Sequence, residues 1–130
     1  MKNLCLILFT ILLFTGCSND DSQRENNRAN EYIGNKYAYI LIETKEECEA
    51  EQEENLTQCA QLLEIINDSQ VEIAFTDVIH RANFYLNDNK LIVESSSGIP
   101  EDLIFQILQN GDLKLGEENW IKYENSYYEQ

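Results

Sequence analysis

From Tyr37 to Tyr123, apolar residues recur at every second position in short runs broken by turn residues. This period constrains the fold more than any other feature. A strand turns alternate side chains to opposite faces, whereas a helix repeats every 3.6 residues. Residues 37–42 are aromatic and branched. Val71, Ile73 and Phe75 alternate with Glu72, Ala74 and Thr76, and Val78, His80, Ala82, Phe84 and Leu86 share one face of the next run. Residues 90–94, 103–108, 113–115 and 120–123 continue the series, and the apolar run 59–66 fits either a strand or a helix. The links are short and rich in turn formers: 67–70, Asn87-Asp88-Asn89, Asn110-Gly111 and 116–119. Residues 95–102, with the lone Pro100, form a longer loop. Helix formers dominate the Glu-rich residues 43–54, which read as a short helix or an extended loop. The pattern predicts a mainly β domain over 32–123. It would be a small antiparallel meander, barrel or sandwich, of roughly seven or eight strands, with an exposed or loosely docked tail over 124–130.

The N-terminus carries a different signal. Lys2 precedes a largely apolar run of eleven residues, Leu4 to Phe14, and Thr15-Gly16-Cys17 follow. The run is too short for a membrane-spanning helix, which needs about 20 apolar residues. A charged start, an apolar core and small residues before a cleavage point mark a secretion signal. With Cys17 at its end, it resembles the bacterial lipoprotein signal, with Phe14 where Leu is usual. The resemblance implies removal of residues 1–16 and acylation of Cys17, which anchors the chain to a membrane by covalent lipid (palmitate among the acyl groups). Ser18-Asn19-Asp20-Asp21 resembles the export signal of Bacteroidetes lipoproteins, in which acidic residues beside the lipidated cysteine direct the protein to the outer membrane and cell surface. Residues 17–31 contain one apolar residue besides Cys17, Ala29, and read as a lipidated cysteine followed by a flexible polar stalk.

Nine basic residues against 24 acidic ones give a formal net charge of −15. Such a chain lacks the basic patches that displace counterions from nucleic acid; a basic protein, a cation or solubility alone remain as readings of its charge, with solubility the default. Of the four cysteines, Cys5 leaves with the signal and Cys17 takes the lipid, so Cys48 and Cys59 remain. The compartment implied by the signal permits disulfides. The two are too far apart for a Cys-x-x-Cys motif, and His80 is the only histidine, so a Cys48–Cys59 disulfide is expected rather than metal ligation or redox chemistry.

No catalytic motif stands out. His80 lies in a strand-like run among Val78, Ala82 and Phe84, the setting of a partly buried or barrel-mouth histidine. Ser95-Ser96-Ser97-Gly98 would have to recruit it to form a nucleophile pair. Glu101/Asp102 and Glu117/Glu118 are paired carboxylates in turns. The expectation is a non-enzymatic protein without catalytic residues, metal or cofactor. Gly34-Asn35-Lys36-Tyr37 and Leu113-Lys114-Leu115 resemble the opening and late strands of small lipocalin-like lipoproteins, without the usual Trp; this implies a barrel. Ser97-Gly98-Ile99-Pro100 resembles the start of the inhibitory loop of lipoproteins that block host lysozymes, but Glu101 stands where that family has Tyr. Seven carboxylates crowd residues 43–54. Of these, Glu46, Glu47, Glu49, Glu51, Glu53 and Glu54 are the candidate partner-binding residues, for docking a basic protein as inhibitor or adhesin. No calcium-loop spacing accompanies them.

Overall fold

The computed structural model describes residues 28–129. The signal peptide, Cys17 and the acidic signal Ser18, Asn19, Asp20 and Asp21 lie outside them. Eight strands form a closed antiparallel barrel in which each pairs with the next in sequence. They are β1 (Lys36–Ile40), β2 (Ala60–Ile65), β3 (Gln70–Ala74), β4 (Ile79–Asn87), β5 (Lys90–Val93), β6 (Leu103–Ile107), β7 (Leu113–Leu115) and β8 (Glu118–Tyr123). One helix of the Glu-rich segment, α1 (Lys45–Asn55), is inserted between β1 and β2. The ring closes where β8 meets β1, with Lys36 opposite Tyr123, Tyr37 opposite Lys122 and Ala38 opposite Ile121. The ambiguous run 59–66 is strand β2. In a ring this narrow, only a strand both presents Leu63 and Ile65 inward and completes the ladders of β1 and β3.

Register decides which half of each alternation faces inward. Tyr37, Leu63, Ile73 and His80 sit opposite one another across β1 to β4 on the inner face. Trp120, Phe105 and Tyr37 are the largest side chains of the interior, and all are fully buried. The Phe105 and Trp120 rings meet edge to face, with centroids 5.4 Å apart, and Tyr39 stacks on Trp120 at 6.1 Å. Eight strands enclose a space that such side chains can fill, and here they do. Val78, grouped by its spacing with the inward face, lies in the β3–β4 link and is half exposed.

Both ends of the barrel are stopped. At the lower end, where β1 begins, the Gly34 N–H donates to the Ile65 carbonyl (2.8 Å) and the Tyr32 N–H to the Ala29 carbonyl (3.0 Å). Ala29 is buried in the core cluster, and Tyr32 packs against it. The boundary placing residues 17–31 in a stalk is therefore corrected: Ala29 belongs to the folded unit, its small side chain fitting where the barrel needs a stopper. At the upper end, Ser96 and Ile99 exchange both backbone hydrogen bonds (2.8 and 3.0 Å), and Ile99 is buried in the same core. Of the two readings of the tail, exposed or loosely docked, the docked one holds. The Tyr128 hydroxyl donates to the Ile42 carbonyl (3.0 Å), and Tyr127 packs against both Tyr123 and Tyr128.

The Tyr37 hydroxyl, inside the barrel, accepts from the Asn35 side-chain amide at 3.4 Å. Desolvation raises its ionisation from 10.0 to about 12, and the Asn35 hydrogen bond opposes this only in part. Below pH 10 the phenol is neutral in both the folded and the unfolded chain. Between pH 10 and 12 the unfolded chain releases the proton and the folded one holds it, so stability falls as pH rises. Full expression of the shift corresponds to roughly 2–3 kcal/mol. Urea denaturation at pH 9 and 11.5 should show that loss, and the loss should be visibly smaller in Tyr37→Phe.

Candidate functional site

Helix α1 holds the six carboxylates singled out in the sequence. Thr44 caps it, its side-chain oxygen accepting the Glu47 N–H (3.2 Å), and Glu46 and Glu47 occupy the first turn, where the helix dipole favours negative charge. The far end is poorly suited to a helix. No basic residue lies in the last turn, and Leu56, 93% exposed, closes the helix in the left-handed region at φ 52°. Only Cys48 of α1 is buried, so no apolar face docks this helix. A covalent bond does instead: Cys48 and Cys59 form the expected disulfide, with Cα atoms 5.6 Å apart, tying α1 to the residue just before β2. Taking 100° per residue, Glu46, Glu47, Glu49, Glu53 and Glu54 spread over the side opposite Cys48, and Glu51 lies at its margin. Lys45 pairs with Glu49 at 3.8 Å, and the Asn55 amide donates to Glu51 at 3.2 Å. These exposed contacts add little stability.

Helix and tail meet on the outer wall. Lys45, Cys48, Glu49 and Gln52 of α1 face Tyr123, Ser126, Tyr127 and Tyr128 across a shallow groove of about 360 Å³. Beneath this region, Ala38 and Ala60 point outward from β1 and β2, yet both are buried. Their small side chains allow the covering segments to lie close. Burial raises the ionisation of both Tyr123 and Tyr128, with neighbouring negative or phenolic groups adding to it.

The serine loop is drawn to His80. Gly98, at φ +90°, lies so close to the imidazole that a Cβ there would stand 2.1 Å from Cε1 and 2.2 Å from Nδ1. The Ser96 hydroxyl is buried without a hydrogen-bond partner among the described residues. Ser95 is tied through its backbone N–H to the Asp102 carboxylate (2.8 Å). No serine hydroxyl is hydrogen-bonded to His80 there. The segment compared with an inhibitory loop thus folds inward, its Ile99 serving as the barrel stopper. Of the paired carboxylates, Glu118 accepts from the Trp120 indole N–H at 3.3 Å and Glu117 approaches Lys114 at 3.9 Å.

Another groove, of about 470 Å³, lies on the outer wall around Lys90, Ile104, Gln106 and Lys114. The period-two pattern carried no sign of it, because it forms from outward residues of three separate strands. Among the described residues, no three histidine, cysteine or acidic side chains come together to hold a metal. No protein family matches the chain. Neither does a curated protein or a solved structure.

Contact between Gly98 and His80 makes a coupled pair. Gly98→Ala should destabilise the protein by about 2 kcal/mol or more, combining backbone strain at positive φ with overlap on the ring. In a His80→Ala background the same change should cost measurably less, because only the strain remains. A urea double-mutant cycle reads the coupling, and strictly additive costs would contradict the contact.

Proposed function

We propose that this chain is a lipid-anchored envelope lipoprotein with a non-enzymatic binding or structural role, held by acyl chains on Cys17 at the outer membrane and exposed at the cell surface. The observation that carries the non-enzymatic part is the filled interior. Trp120, Phe105 and Tyr37 occupy the space where a lipocalin-like barrel would hold a ligand, and Ala29 and Ile99 help stop its two ends. Recognition is then left to the outer surface. The anchoring part rests on the residues around Cys17 and on the chain's path: the folded unit is entered at its lower end, so a tether would leave the upper end facing away from the membrane. Cys17→Ser should abolish incorporation of radiolabelled fatty acid and move the protein out of the membrane fraction. Label retained by the variant would refute lipidation at this residue.

A second reading, docking of a basic protein, is favoured by the form of α1. This helix buries only its disulfide cysteine and spreads its carboxylates toward solvent. A connection between β1 and β2 could be far shorter, and loops on a rigid β scaffold are common recognition elements. Attraction by such a patch is salt-dependent and acts mainly on encounter. Replacing Glu46, Glu47, Glu51 and Glu53 by Gln should weaken low-salt retention on an immobilised cationic protein such as a lysozyme, with little change in melting temperature. Glu46 and Glu47 lose a favourable dipole interaction while Glu53 sheds an unfavourable one. Equal retention of both forms would remove α1 from consideration.

A further inference from the structure

Strand β4 spans nine residues, but β5 beside it only four. The lower part of β4, Phe84 to Asn87, pairs with β5; the upper part, Ile79 to Asn83, pairs with β3 alone. The Phe84 N–H donates to the Ser69 carbonyl at 2.9 Å, which sets the phase. Even-numbered residues of β4 turn their backbone groups toward β3, and odd-numbered ones toward the β5 side. The Asn83 carbonyl accepts the Glu94 N–H at 2.9 Å, the last bond on that side. Beyond it the chain leaves the wall, because residues 95–99 turn inward to stop the barrel against His80. Among the described residues, the Asn83 N–H and both backbone groups of Arg81 therefore have no partner on the β5 side. Ile79 is 65% exposed here, and Arg81 and Asn83 are exposed as well. A barrel closed around its whole circumference thus keeps a short open edge in its upper half.

We propose that this edge of β4 binds an extended, cationic segment of a partner protein by strand addition. Unpaired edge groups are a template for another backbone, and charge selects the occupant. The net charge is −15. Asp77 lies in the link before β4, and Glu94, Glu101 and Asp102 lie in the segment that leaves the wall. Arg81, the basic residue on the edge, is held by Glu72, its Nε donating to Oε1 at 3.1 Å. A second copy is the poorer occupant. Pairing two edges about Arg81 would set arginine against arginine and bring two strongly acidic chains together. The added strand would lie in line with β5, with an apolar outward residue beside Ile79. This surface is separate from α1, so the proposal stands or falls independently of the helix reading.

The test uses the full-length protein, isotope-labelled in detergent micelles, and the synthetic peptide Lys-Val-Lys-Val-Lys-Val-Lys. Peptide at saturation should slow amide exchange of Arg81 by ten-fold or more and leave α1 amides unchanged. A control peptide with every Val replaced by Pro keeps the charge but loses ladder donors, and should bind at least ten-fold more weakly. Arg81→Pro removes an edge-facing donor that β3 does not use and should abolish the protection. If that variant does not fold, Ile79→Lys leaves the backbone intact and should weaken binding five-fold or more by repelling the peptide. Equal affinity for both peptides, protection confined to α1, or no binding would each overturn the proposal. Concentration-dependent protection without peptide would do so too, by assigning the edge to a second copy.

Discussion

Closure of β8 onto β1 is the constraint from which the rest of the structure follows. It joins residues far apart in sequence, Ala38 to Ile121 and Lys36 to Tyr123, so the chain pays loop-closure entropy before these pairs form. In return the ring brings Trp120 beside Tyr39 and Phe105 and allows Tyr37 to be fully buried. An open meander of the same strands would leave β1 and β8 as edges and expose one side of that aromatic group. Closure also limits the interior. A ring of eight strands is narrow enough for aromatic and branched side chains to fill, and filling it removes the site at which a wider barrel would bind.

The outer wall of the described residues is not uniform. Over β1 and β2 it is covered by α1 and the tail, held by the Cys48–Cys59 bond and by the Tyr128–Ile42 hydrogen bond. Over the upper half of β4 it is bare, because the β5–β6 segment is used to stop the barrel end instead of extending the ladder. The same inward turn explains Gly98: only a residue without Cβ fits against the His80 ring at that point. Stopping the barrel and leaving an edge open are two consequences of one chain path. Helix α1 is the other unusual feature, a helix without an apolar face that depends on a covalent bond for its position.

Much of this was legible from the residues. Period-two alternation located the strands other than β2 to within a few positions, since one face of each is dry and the other wet; the apolar run 59–66 became a strand only through its ladders to β1 and β3. Turn residues marked the hairpins: Asp88 does adopt positive φ, and so does Gly111. The cysteine count identified the Cys48–Cys59 pair. What misled was local composition. Residues 17–31 read as a stalk because a single alanine offers too little apolar surface to signal burial, yet Ala29 is a stopper whose value comes from the barrel end it fills. Val78 continued an alternation past the end of its strand, because side-chain period does not record where a ladder stops.

By itself, then, the sequence determined the mainly β character, the hairpin positions, the disulfide and the acidic character of the segment that became α1, and it narrowed the strand count to seven or eight. All of these depend on neighbours within a few residues or on simple arithmetic. Tertiary structure alone decided that the sheet closes, that its interior is full, that the serine loop turns inward onto His80, and that the upper half of β4 goes without a partner on the β5 side. Each of these depends on which residues meet across the ring, and a pattern with period two is the same whether the sheet is open, closed or incomplete on one side.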